Sequence, residues 1–362
     1  MLKLRDISFL SDFVRLPKNL LKDICTELNM ENIGTISELG EKIYTKINNN
    51  FDVLKTVMDM CANQLFCGKM AITWYKFDQG CLDALNILQE TISQNIGFNP
   101  FVKIKLPSIE KLSTQPQIIG GVLDEQNNCY LRLAVKGGIR KDYYGSYSEV
   151  IVQPNIITTY INVSNGVLEV RTDSRKANKV AECIANAMGQ TISLGHRTLL
   201  APFGNNVGNF ADAINGELID ATSKPELLLE NFTEEQGQTV VDILVALENY
   251  FEDDDIEQLQ TSLQDANNKF GAHLTAVPFR ALILAGMEKI GMGGIRELRG
   301  MPLYDCFKPF LQHQGGYITF PFTHSGVEDT YTIRVGLTTN SIYFTTPANE
   351  EVVRFVRERL FV

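Results

Sequence analysis

The chain has 362 residues, a net charge of −10, and 44% hydrophobic against 21% charged residues. That length suits two or three domains, since one core rarely grows past ~250–300 residues, and the composition is that of a folded globular protein. No apolar run reaches the ~18 residues that a membrane-spanning helix needs. The opening MLKLRDISFLSDFVRLPKN is charged throughout and lacks the apolar centre of a signal peptide. A cytoplasmic location is therefore expected (nuclear in a eukaryote), with no membrane partner. The seven cysteines (Cys25, Cys61, Cys67, Cys81, Cys129, Cys183 and Cys306) are odd in number, widely spaced and without a CxxC pair, so they read as buried apolar residues in a reducing compartment.

The acidity is uneven. Residues 101–200 carry 12 Lys and Arg against 8 Asp and Glu, whereas residues 201–362 carry 11 against 23. A basic face in the middle of the chain is compatible with the acidic total.

Residues 1–95 show helical spacing. Leu20, Leu21, Ile24 and Leu28 form a stripe just after Pro17, as a helix start requires. Ile36, Leu39, Ile43 and Ile47 form a second, with Ser37 as a candidate cap. Leu54, Val57, Met58 and Cys61 form a third, and Leu82, Leu85, Leu88 and Ile92 a fourth. The expectation is a compact helical bundle of four to six short helices.

Pro100, Pro107 and Pro116 then mark a linker or crossover, and after it the period falls to two. Tyr130, Leu131, Leu133 and Val135 predict a strand ending at a Gly137-Gly138 turn. Strands follow at 149–153, 156–163 and 167–172, the last two joined at Ser164-Asn165-Gly166, a hairpin signal. A helix is expected over 174–188. Residues 330–354 repeat this order of strand, turn, strand and charged helix, so two β-β-α units pairing into one sheet with helices on one face are a possible duplication. Between the units, residues 200–315 read as acidic and mostly helical. Thr233 to Gln236 fits a capping box, Val240, Ile243, Leu244, Leu247 and Tyr250 supply a stripe, and Glu252 to Glu257 reads as a solvated run. The expected fold class is α+β: an N-terminal all-α bundle (1–95), an antiparallel or mixed sheet domain begun at 96–199, an acidic helical insertion (200–315), and a C-terminal β-β-α (316–362) completing the sheet.

Catalytic patterns are sparse. His196, His273, His313 and His324 fall in no metal-binding spacing, so no metal or cofactor is expected. The glycine-containing runs 202–208 and 291–294 match no phosphate loop and read as turns. Glu169-Val170-Arg171 loosely echoes the (D/E)xK element of metal-dependent nucleases, but Arg stands in the Lys place and the preceding strand has no acid. The basic residues say more. Arg132, Lys136, Arg140 and Lys141 interleave with Tyr143, Tyr144 and Tyr147. Arg171, Arg175, Lys176 and Lys179 flank a strand-to-helix junction, where helix amides also favour phosphate. Arg15, Lys18 and Lys22 mark a helix start. Such clusters suit a phosphate backbone, and each is equally readable as a solvated charged face.

Three stretches resemble the centromere protein N family of the kinetochore: Phe13 to Pro17 with Leu20-Leu21, Asn63 to Gly80, and Tyr130 to Val135 with Ser148 to Asn162. The resemblance covers roughly 1–190 and implies that the helical module is pyrin-like. It also implies a basic channel for double-stranded DNA between that module and the sheet, and a companion protein subunit held by the C-terminal part. It places Arg15 on the family's basic residue before the proline, and Lys42, Lys46 and Lys69 approximately on basic positions. The acidic 200–315 stretch has no counterpart. The leading expectation is a non-catalytic DNA-binding adaptor, with DNA sensing in a prokaryotic antiviral defence system as one setting. A nuclease centred on Glu169 and a protein-only scaffold are the alternatives.

Overall fold

A computed structural model describes residues 2–77, 85–124, 128–145, 147–189, 199–224, scattered helical positions between 238 and 265, and residues 281–285, 289–293, 297–300, 312–324 and 326–361. The expected capping box at Thr233, most of the Glu252–Glu257 run, and His196, His273, Cys81 and Cys306 lie outside these residues. In chain order the elements are α1 (Leu10–Phe13), α2 (Lys18–Glu27), α3 (Ile36–Asn49), α4 (Phe51–Cys61), β1 (Ala71–Lys76), α5 (Leu85–Ile96), β2 (Gln117–Leu123), β3 (Cys129–Tyr144), β4 (Tyr147–Asn162), β5 (Val167–Arg171) and α6 (Ser174–Ala187). They continue with α7 (Val207–Ala213), β6 (Glu217–Lys224), β7 (Ala281–Ala285), β8 (Lys289–Gly293), β9 (Gln312–His324), β10 (Val327–Gly336), β11 (Ser341–Phe344) and α8 (Glu350–Leu360). The mixed α+β class and the N-terminal helices are as expected from the sequence. The chain divides into two compact units, 1–199 with 339–362, and 200–338.

In the first unit the strands run β2-β3-β4-β5-β1-β11, antiparallel in every pairing given. Alternation sorts the side chains onto two faces. Cys129, Leu131, Leu133 and Val135 of β3, Ile157 and Ile161 of β4, and Leu168 and Val170 of β5 pack with Val180, Ala181 and Ile184 of α6 and Ile92 of α5. Burying each large aliphatic of that set contributes roughly 1.5–3 kcal/mol. The intervening residues turn to the other face, where Tyr130 and Tyr160 join the core of α2, α3 and α4 through Leu21, Ile24, Leu39, Ile43 and Val57.

Several expectations need correction. β1 lies inside the region read as all helical: Ile, Thr, Trp and Tyr at 72–75 are strong strand formers, and β1 pairs with both β5 and β11. The cap of α3 is Thr35 rather than Ser37, in a reciprocal pair with Glu38. Gly137-Gly138 is not a turn. The register shifts between Lys136 and Gly138, so the glycines form a bulge and β3 runs on to Tyr144. A Cβ at Gly137 would sit 3.1 Å from the Gln153 carbonyl oxygen. The two strands expected at 149–163 are one, β4. Helices also cover both faces, because α6 packs on the Leu168 side whereas Glu350 and Arg357 of α8 meet Glu169 and Arg171 on the other.

In the second unit the order is β10-β9-β6-β8-β7, antiparallel in every pairing given. The described part of 200–315, expected to be mostly helical, thus includes the strands β6, β7 and β8. Phe210 of α7 is fully buried, as are Leu218 of β6, Ile318 and Phe320 of β9 and Ile333 of β10. Gly316 allows the chains to approach, since a Cβ there would lie 2.6 Å from the Asp220 carbonyl oxygen. Arg299 donates from Nη2 to the Gly216 carbonyl at 2.7 Å and to Glu297 at 2.6 Å, closing the turn before β6.

Candidate functional site

The basic residues singled out in the sequence separate into two populations. Arg132 and Arg171 lie on the sheet face covered by the N-terminal helices, and both are buried. Arg132 donates from Nη2 to both oxygens of Asp12, at 2.7 and 2.8 Å, donates from Nη1 to Thr158, and lies over the Phe66 ring at 4.5 Å. Arg171 donates to both oxygens of Glu350, at 2.6 and 2.7 Å, to Glu169 at 3.1 Å, and to the Phe66 carbonyl. Arg357 from α8 adds a second cation to Glu169 at 3.2 Å and stacks over Tyr160 at 4.6 Å. Burial pushes the Glu350 carboxyl up, but the adjacent Arg171 outweighs it and holds the group below its ordinary value. Arg132 and Asp12 form one isolated pair, while Glu350, Arg171, Glu169 and Arg357 form an alternating chain, so each buried charge has an opposite neighbour. These arginines are committed to internal carboxylates and are not offered to phosphate.

The same network decides the place of Glu169. Its carboxylate is fully buried, accepts from Trp74 Nε1 at 2.8 Å and from Arg171, and forms an ion pair with Arg357. A magnesium-binding carboxylate must face substrate and water, and this one is enclosed by donors. Among the described residues no group of three or more His, Cys, Asp or Glu is placed to hold a metal ion.

The second population is at the surface of the first unit. β3 and β4 pair from Gly138–Gln153 out to Tyr144–Tyr147, beyond the reach of β2, whose pairing stops at Ala134, and of β5, whose pairing stops at Thr158. The result is a two-stranded arm roughly 24 Å long at ~3.4 Å per residue. Arg140, Lys141, Tyr143, Tyr144 and Tyr147 are exposed on it, Tyr144 by 88%, and Arg140 pairs with Asp142 at 2.8 Å. The arm's base meets the start of α6, where Lys176 Nζ donates to the Gly137 carbonyl at 3.4 Å. Lys136 N donates to the Ser113 carbonyl of the 97–116 segment at 2.8 Å.

That segment, read from sequence as a linker, crosses the β2 edge, with Lys105 N donating to the Ile119 carbonyl. Between it and α6 lies an open groove of about 840 Å³ whose lining includes Lys105, Lys111 and Lys179, together with Asn186, Gln117 and Glu182. Lys105 Nζ lies 5.4 Å from the Phe98 ring centre. The fold thus gathers Lys179, Lys105 and Lys111 in one groove, with Lys176 and Lys136 at the neighbouring arm base. Lys105 and Lys111 escaped the sequence reading; the signal was three lysines, with Lys103, in a proline-marked stretch taken as a connection.

The remaining expected positions do not join this cluster through any contact described. Arg175 is exposed and held by Asp173 at 2.7 Å, whose carboxyl the Arg175 hydrogen bonds lower to about 2. Lys18 and Lys22 share one side of α2, and Lys46 is exposed on α3. Lys42 is tied to Glu31 at 3.0 Å and to the Ile33 carbonyl. Lys69 is exposed beside Gly68, which faces the carbonyl of Arg15, itself exposed.

The first unit is therefore an antiparallel sheet between two helical layers, bearing a lysine-lined groove and a projecting arm. No family model matches the chain, and no curated protein or solved structure is significantly similar to it. No described helix is long and apolar enough to cross a membrane.

Proposed function

We propose that the chain is a non-catalytic DNA-binding adaptor that holds the duplex phosphate backbone along Lys105, Lys111 and Lys179 and on to Lys176 and Lys136 at the arm base. The observation that carries this reading is the gathering of these cations, from three separate stretches of sequence, around one groove beside a free β-ribbon. Arg140 and Lys141, exposed on the arm, extend the cationic path. The resemblance to the centromere protein N family supports the same partner. In that light the N-terminal helices are its pyrin-like module, with Arg15, Lys18, Lys22, Lys46 and Lys69 as secondary contacts. Arg132 and Arg171 leave the set, because their charges are met inside the protein. The acidic C-terminal half, whose charge does not suit a phosphate backbone, docks a companion protein subunit. A cytoplasmic DNA sensor of an antiviral complex is the setting this implies.

Fluorescence anisotropy with a labelled duplex of about 30 bp tests the reading, since a phosphate binder loses affinity with a log–log salt slope near −0.9 per contact. Binding at ~50 mM salt that fades by ~200 mM is expected. Absence of binding at the lower salt overturns it and leaves the protein-only scaffold.

A further inference from the structure

The β-arm has an unused edge. On the side of β3 away from β4, pairing with β2 stops at Ala134, and no described strand continues it over Gly138 to Tyr144. A strand edge with free amide and carbonyl groups is a template for another strand. The sequence along this edge is Ile139-Arg140-Lys141-Asp142-Tyr143, which has the same chemical order in either direction: apolar, charged, Lys, opposite charge, apolar.

We infer that two copies of the chain pair antiparallel through this edge, about a two-fold axis at Lys141. That register sets Arg140 of one copy opposite Asp142 of the other, twice, and Ile139 opposite Tyr143, twice. Opposite charges and an aromatic against a β-branched residue are favourable cross-strand pairs, and one like-charge pair, Lys141 with its own copy, opposes them. The two apolar residues need cover: Ile139 is 54% exposed and Tyr143 73%. Arg140 and Asp142, at 2.8 Å within one copy, become the corners of a four-charge square in the pair. Because the contact is isologous it closes at two copies rather than growing into a fibre. The β4 edge is the poorer partner: Pro154 lacks an N–H, and centring on Val150 sets Glu149 against Ile151.

The pairing is independent of DNA, so sedimentation equilibrium of the full chain without nucleic acid tests it, over about 1–100 µM, the range of weak transient interfaces. A monomer–dimer equilibrium is expected. Arg140→Asp sets like charges opposite one another and weakens the dimer at least tenfold. The exchanged variant Arg140→Asp with Asp142→Arg restores it, and Lys141→Thr, which removes the repulsive pair, tightens it severalfold. All three substitutions are on exposed arm positions, and unchanged thermal melting certifies the fold. A wild type that stays monomeric throughout overturns the inference, as does an exchanged variant that remains as weak as Arg140→Asp.

Discussion

Asp12→Ala should be among the most damaging single substitutions in the first unit. Asp12 is 3% exposed and holds Arg132, 1% exposed, through two hydrogen bonds of 2.7 and 2.8 Å. With charge centres ~4 Å apart and an effective dielectric near 20, the attraction is about 4 kcal/mol. Removing one partner leaves the other buried and unmatched, which costs about 3–5 kcal/mol. Asp12 also accepts from the Phe9 backbone N–H at 2.8 Å and so caps α1, a further contribution of about 1 kcal/mol. For a unit of roughly 150–250 residues each kcal/mol lowers Tm by about 2–4 °C, so for both contributions together a drop of ~8–24 °C is expected. The double variant Asp12→Leu with Arg132→Met removes both charges and recovers all but the capping contribution. Trp74, the single tryptophan, belongs to this unit, so its emission during thermal or urea unfolding isolates the relevant transition. A loss under about 1 kcal/mol for Asp12→Ala, or a double variant no better than the single one, would refute the reasoning, since either means that Arg132 does not depend on Asp12.

Three other outcomes follow from the same geometry. The Glu350 carboxyl lies below its ordinary value of 4.5 in the fold, because Arg171 outweighs the effect of burial. Its contribution is fully present above that value and is lost as pH falls below it toward the folded value. Trp74 emission should therefore mark a loss of stability below about pH 4.5, and Glu350→Gln should flatten that dependence at lower overall stability. Glu169→Gln should destabilise by about 3–5 kcal/mol through Arg171 and Arg357, while duplex incubated with wild type and magnesium stays intact; cleavage that Glu169→Gln abolishes would restore the nuclease reading. Tyr144→Ala, at an 88% exposed arm position, should change stability by less than about 0.5 kcal/mol, as measured by urea unfolding.

Local signals were legible in the chain wherever one element decides its own structure. The Leu20–Leu28 and Ile36–Ile47 stripes became α2 and α3, and Val167 to Arg171 became β5 because alternation and the Asn165-Gly166 step are local. The errors arise where distant residues decide. Arg132 and Arg171 alternate with apolar neighbours, which marks a second face but does not say that helices cover it; Asp12 and Glu350, which meet them, are 120 and 179 positions away. β1 carried its own strand propensity at Ile72-Thr73-Trp74-Tyr75 but stood among helices and was absorbed into them. Gly137-Gly138 signals a break in regularity, and a bulge and a turn use the same residues; only the β4 partner distinguishes them. The groove was invisible for a related reason, since Lys105 and Lys111 reach Lys179 through the packing of an irregular segment on the β2 edge.

The most direct test of the account is the salt dependence of duplex binding in wild type and in Lys105→Ala, Lys111→Ala and Lys179→Ala. The account predicts that each substitution weakens binding about equally for all sequences and shortens the log–log slope by about one contact. Slopes identical to wild type in all three variants, or a wild type without affinity for DNA, would contradict it.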